Sequence, residues 1–138
     1  MRYETERRLL QAAVLLAGTV PVSAGAAGVL FGAALFTNGS TGADLDSHVR
    51  YLSGLLLAIG LVFWSRIPTI ERRPCLFRLL AGIVVVGGLG RLVGVLLARS
   101  PSLSIFAALA MELVVTPLLC VWQARIAARA ASRETERN

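Results

Sequence analysis

Four long apolar runs, about residues 9–36, 48–65, 76–98 and 103–126, constrain this chain more than any other feature. A spanning helix needs roughly 20 apolar residues at about 1.5 Å each. The 138 residues therefore have room for four spans, short connections and a cytoplasmic tail at 127–138. The pattern predicts an all-α fold, a four-transmembrane-helix bundle making one integral membrane domain over 1–138. Composition points the same way, because 56% apolar residues and a mean hydropathy of +0.71 exceed what a soluble domain of this size carries.

The first run has a rival reading as a cleavable signal peptide. Arg7 and Arg8 would be its basic start, Leu9 to Val20 its apolar stretch and Val22-Ser23-Ala24 its small-residue cleavage site. Against cleavage, the apolar run continues for about a dozen residues past Ala24, and Glu4 and Glu6 dilute the basic start. A retained helix kinked at Pro21, where a backbone donor is lost, is the expectation.

A polar stretch rich in turn formers, Thr37 to Ser47, leads to the second span. Arg66, Pro68, Glu71, Arg72, Arg73 and Pro74 then form a basic loop. The third span contains fourteen Leu, Ile, Val and Phe residues. Their gain of roughly 4 to 8 kcal/mol on insertion outweighs about 3 kcal/mol for Arg91, the charge deep in the run. Ser100-Pro101-Ser102 makes a tight turn into the fourth span, and the tail after Ile126 is expected to be solvated and frayed.

The net charge of +6 comes without a single lysine, and its fourteen arginines are scattered between apolar runs. They read as topology signals, and no nucleic-acid partner is expected. Three arginines precede the first span, four lie from Arg66 to the inner end of span three at Arg78, and four follow from Arg125, against Arg50 and Arg99 on the other side. Both termini are thus expected in the cytoplasm of a bacterium, with the chain multi-pass in the inner membrane. Trp64 and Trp122 fall at the inner ends of spans two and four, the depth that indole rings favour.

Small residues recur at Gly18, Pro21, Gly25, Gly28 and Gly32 in span one, at Gly54 in span two and at Gly87, Gly90 and Gly94 in span three. Spacings of this kind permit close helix packing. Arg50, Arg91 and Glu112 lie within apolar runs, where charge is costly and often functional. Arg91 and Glu112 are ten and eleven residues from Pro101, so across an antiparallel hairpin they reach nearly equal depth and can pair. Asp46 and Arg50 share a face with Gly54, and Glu112 shares one with Thr116. Two readings follow. The charges neutralise one another and fix the helix register, or they line an outward polar cavity in which Arg50 and Arg91 meet an anionic ligand and Glu112 acts as counter-ion or proton carrier.

Other chemistry is sparse. His48, beside Ser47 and near Asp46, reads as a capping or surface residue. Cys75 and Cys120 sit in different segments outside any CxxC or Cys/His cluster, so neither a disulfide framework nor a metal site is expected, and no cofactor. HExxH, GxSxG, Walker A and GxGxxG signatures do not occur, leaving no catalytic residue to nominate. Asn38-Gly39-Ser40 fits a glycosylation sequon by chance.

Arg50-Tyr51-Leu52-Ser53-Gly54, Gly90-Arg91-Leu92-Val93-Gly94 and Met111-Glu112-Leu113 resemble elements of a bacterial family of small four-helix membrane proteins, the domain of unknown function 4345. The resemblance covers most of the chain and implies a fold, not an activity. It singles out Arg50, Arg91, Gly94 and Glu112, and Ser53 stands where the family pattern has a second glycine. The expected function is a structural or accessory membrane component whose partners are the lipid bilayer and a homo-oligomer or larger membrane complex. The alternatives are binding or transport of a small anionic or amphipathic molecule, of which proton-coupled export is the weaker form because the arginine bias fixes one topology, and a lipid-modifying enzyme using Glu112 as acid or base.

Overall fold

The computed structural model describes residues 2–37, 42–97 and 102–135. The Asn38 sequon, the turn at Ser100 and Pro101, Arg99, and Glu136 and Arg137 at the chain end lie outside the described residues. Among the described residues five α-helices follow in order: α1 (Arg2–Phe31), α2 (Ala43–Arg66), α3 (Pro74–Leu97), α4 (Leu103–Ala110) and α5 (Thr116–Thr135). A 3-10 turn, Gly32–Leu35, extends α1, another, Ile67–Thr69, extends α2, and a π-helical turn, Met111–Val115, joins α4 to α5. No strand occurs among the described residues. The fold is all-α, and four helical segments are long and apolar enough to cross a membrane: Tyr3–Leu35, Ala43–Thr69, Pro74–Leu97 and Leu103–Thr135. The shortest, at 24 residues, rises about 36 Å against a hydrocarbon core of roughly 30 Å.

The surface supports the same reading. Leu96, Leu97 and Leu103 are 76%, 82% and 84% exposed, and leucine, valine and phenylalanine side chains stand out along every span. Water would penalise that much apolar surface, whereas hydrocarbon accepts it. The chain is a multi-pass membrane protein by the length and character of its helices.

The elements run past the sequence-based limits at several ends. α2 begins at Ala43, five residues before His48, because Asp44 and Asp46 lie in its first turn, where acidic groups favour a helix start. His48 is therefore an exposed residue within the helix, and Gly42 stands at the N-cap. At the other end α5 continues to Thr135. Its alanines and arginines are strong helix formers, and Arg129 pairs with Glu6 while Arg133 lies over the Tyr3 ring. The segment expected to fray is a helix tied down by two contacts.

The chain divides into two compact units, residues 14–67 and residues 1–13 with 68–138. In the first, α1 and α2 run antiparallel with glycines at the crossing points. Gly18 lies under the Trp64 indole, Gly25 against the Leu57 backbone, Gly28 against Ser53, and Gly60 of α2 against Pro21 and Val22. Each step toward the end of α1 meets a step back along α2, so one register explains all four. Trp64 also donates its indole N–H to the Leu15 carbonyl at 3.2 Å. It is thus a packing residue between the two helices. The helix is continuous through Pro21.

In the second unit α3 packs on α4, the π turn and α5, and Leu10, Ile70, Phe77, Leu80, Leu109 and Ile126 are buried. Gln123, fully buried, donates its amide to the Ile70 carbonyl at 2.7 Å. Arg7 donates to Glu71 at 3.0 Å and to the Pro68 carbonyl at 3.0 Å. With the contacts of Arg129 and Arg133, this gathers both chain ends and the segment before α3 at one end of the unit.

Candidate functional site

The charged residues within the apolar runs form two clusters, one in each unit. The first is built on the end of α1. A helix terminus leaves carbonyls without intrahelical partners, and here Arg50 supplies them: its Nη1 donates to Val29 O at 2.6 Å and to Leu30 O at 3.1 Å. Gly32 then takes φ +60°, the left-handed conformation with which helices commonly end and which glycine adopts without strain. That turn presents the Ala33 N–H to Asp46 Oδ1 at 2.9 Å, while Arg50 Nε donates to Asp46 Oδ2 at 2.7 Å. A Cβ on Gly32 would stand 2.9 Å from the Asp46 carboxyl carbon, so glycine is required there for space as well as for conformation.

The i, i+4 spacing of Asp46 and Arg50 thus makes a two-pronged cap. The cation faces the carbonyl end of α1, where the helix dipole favours it, and the anion takes the first N–H beyond. A Cβ on Gly54, on the same face of α2, would meet Val29 Cγ2 only at 3.9 Å, an ordinary contact. The Asp46→Ala variant is expected to be less stable than the wild type, since it strands the Ala33 N–H and removes the carboxylate that orients Arg50. Equilibrium unfolding in detergent would measure it, and an unchanged midpoint would contradict the cap.

The second cluster joins α3 to the π-helical turn. Arg91 Nε donates to Glu112 Oε2 at 2.9 Å and Nη2 to Oε1 at 2.9 Å, a bidentate fork. Charge-assisted pairs of this geometry are among the stronger polar contacts available to a side chain. Gly88 makes the approach possible: a Cβ there would lie 2.8 Å from Glu112 Cβ and 2.8 Å from Leu113 Cδ2. Arg91, one turn on, then reaches the carboxylate. The Arg91 side chain remains 40% exposed and that of Glu112 17%.

The π turn has a cause in the sequence. Pro117 has no N–H to give to Leu113, and its ring would press on that carbonyl in a regular helix. Widening the preceding turn relieves the clash, and the Met111 carbonyl accepts both the backbone N–H of Thr116 and its Oγ1, the latter at 2.8 Å. Thr116 therefore secures the turn that carries Glu112. One inserted residue rotates Glu112 relative to the rest of the span, and π turns occur frequently at functional positions.

On α3 the close approach occurs at Gly88. Gly87, Gly90 and Gly94 have no neighbour within 4 Å of a Cβ position, so the helix is in contact through a different face from the one their spacing marks. Sequence reasoning missed Gly88, Gly32 and Pro117 as determinants of the two clusters. Pro117 inside an apolar run was the available signal. Cys75 and Cys120 are free thiols, and no group of three metal-ligating side chains occurs among the described residues.

Compared with known proteins, the chain matches no curated protein and no solved structure. A family model, Domain of unknown function (DUF4345), matches residues 9–123, from early α1 into α5 and across both clusters. The chain belongs to the DUF4345 family.

Proposed function

We propose that the chain is a structural or accessory component of a bacterial inner membrane, with both termini cytoplasmic and its charged groups holding helices in register. One observation carries this reading: the charged atoms that would recognise a ligand are engaged within the chain. Arg50 is spent on the carbonyl end of α1 and on Asp46, Asp46 also takes the Ala33 N–H, and Arg91 and Glu112 close on each other through two short bonds. The excess of arginine at the termini and between α2 and α3 supports the orientation. Crosslinking in the intact membrane, followed by gentle extraction, is expected to yield a discrete species heavier than the monomer, a homo-oligomer or a complex with another protein. Recovery of the monomer alone would count against the accessory role.

A second reading has a specific observation in its favour. The Arg91–Glu112 pair sits on a π turn and leaves 40% of the arginine side chain exposed, the arrangement expected if an anionic or amphipathic molecule approaches the guanidinium. Its test is retention of a small molecule that Glu112→Gln or Arg91→Leu abolishes.

A further inference from the structure

At the charged end of the second unit a groove of about 1610 Å³ opens between the start of α1, the segment entering α3 and the last turns of α5. Arg72, Arg78, Arg133 and Tyr3 line it. The Arg133 guanidinium lies 4.4 Å from the Tyr3 ring centroid, which holds the side chain in place without neutralising it. Arg72 and Arg78 are exposed, and neither makes an ion pair among the described residues. Of the carboxylates on the wall, Glu4 and Glu71 both reach Arg7, at 3.7 and 3.0 Å. One guanidinium shared by two carboxylates leaves one negative charge there, and Glu134 is the remaining acid among the described lining residues, so it is the unpaired guanidiniums of Arg72 and Arg78 that offer the groove local positive charge.

The opposite wall is apolar and small: Ala127, Ala128 and Ala131 of α5 leave the space that larger side chains would fill. Arg78 lies where α3 passes from its charged start into its apolar length, and its neighbour Leu79 is 61% exposed. An occupant of this groove meets cationic forks on one wall and the alanines of α5 on the other. That combination matches a molecule with an anionic head and a hydrocarbon tail. We propose that the groove binds the phosphate of an anionic phospholipid headgroup between Arg72 and Arg78, with Arg133 at its edge. Guanidinium groups offer paired N–H donors that fit phosphate oxygens, and basic pockets at helix ends are an established way of holding such lipids. The proposal rests on the membrane setting of the helices and is independent of the accessory role.

The full chain, purified in detergent and stripped of lipid, would be titrated with phosphatidylglycerol and with phosphatidylcholine of the same acyl chains and examined by native mass spectrometry. The expected result is a preference of roughly tenfold or more for the anionic lipid. It should be lost in R72Q/R78Q and kept in R73Q, which removes an exposed arginine outside the groove. Equal binding of the two lipids would overturn the proposal, as would an equal loss in R73Q, which would show a diffuse charge effect. Displacement of phosphatidylglycerol by an equal concentration of inorganic phosphate would overturn the lipid source in favour of a soluble anion. The lipid comparison and the phosphate competition use the unaltered protein, so they decide the matter even if the double variant does not fold.

Discussion

Arg91→Leu alone is expected to destabilise the protein by roughly 2–4 kcal/mol, Glu112→Leu by a similar amount, and the double variant by far less than their sum. Removing one member of an ion pair strands the other charge in low dielectric, which typically costs more than the pair is worth. The range is set below that of a fully buried pair because 40% of the Arg91 side chain is exposed. Replacing both by leucine removes charge from the apolar span altogether and restores compatibility with lipid. A double-mutant cycle by equilibrium unfolding in mixed micelles would measure the coupling. Additive single effects would show that the fork at Glu112 contributes no specific energy.

The second large effect concerns glycine. Gly25→Ala would put a Cβ 2.6 Å from the Leu57 backbone nitrogen and 2.8 Å from its Cα. Backbone cannot swing aside as a flexible side chain can, so α1 and α2 must separate. The expected cost is roughly 2–3 kcal/mol, the upper part of the range for overpacking. Gly87→Ala, Gly90→Ala and Gly94→Ala meet nothing within 4 Å and are expected to be neutral or to stabilise by up to about 1 kcal/mol through helix propensity. Thermal unfolding of the four variants side by side would distinguish them. A neutral Gly25→Ala would mean that the α1–α2 register differs from the one described.

Much of the fold was legible because lipid imposes a simple rule, that a span is a long apolar run, and all four spans obey it. The depth match between Arg91 and Glu112 was also readable, since residues equidistant from a hairpin turn meet across it. What stayed hidden required contacts far apart in sequence. Nothing near Arg50 signals that its guanidinium reaches the Val29 and Leu30 carbonyls, so it read either as a partner of Asp46 or as a cation for a ligand. The α3 glycines misled for a different reason. A span that is apolar all round gives no amphipathic clue to which face touches a neighbour, and Gly88 carries no mark that Gly87 or Gly90 lacks. The π turn was accessible in principle from Thr116-Pro117 within an apolar run. Acidic residues at 44 and 46 drew the start of α2 too late, because Asp serves turns and helix starts alike.

The ends of the chain carry a related lesson. Arginines 129 and 133 entered the sequence argument only as topology signals, and Arg7 as that and as the basic start of a signal peptide. In the structure they also hold the second unit together, through Glu71, Glu6 and the Tyr3 ring. Charge bias and specific pairing are compatible roles for one residue.

The central claim, that the charged groups inside the spans serve the chain's own architecture, is tested most directly by native mass spectrometry of the wild-type protein and of Glu112→Gln, both extracted gently from their own membrane. The account predicts the same spectrum of species for both, apart from phospholipid, with no small molecule whose retention depends on Glu112. A stoichiometric non-lipid ligand carried by the wild type and missing from Glu112→Gln would contradict it.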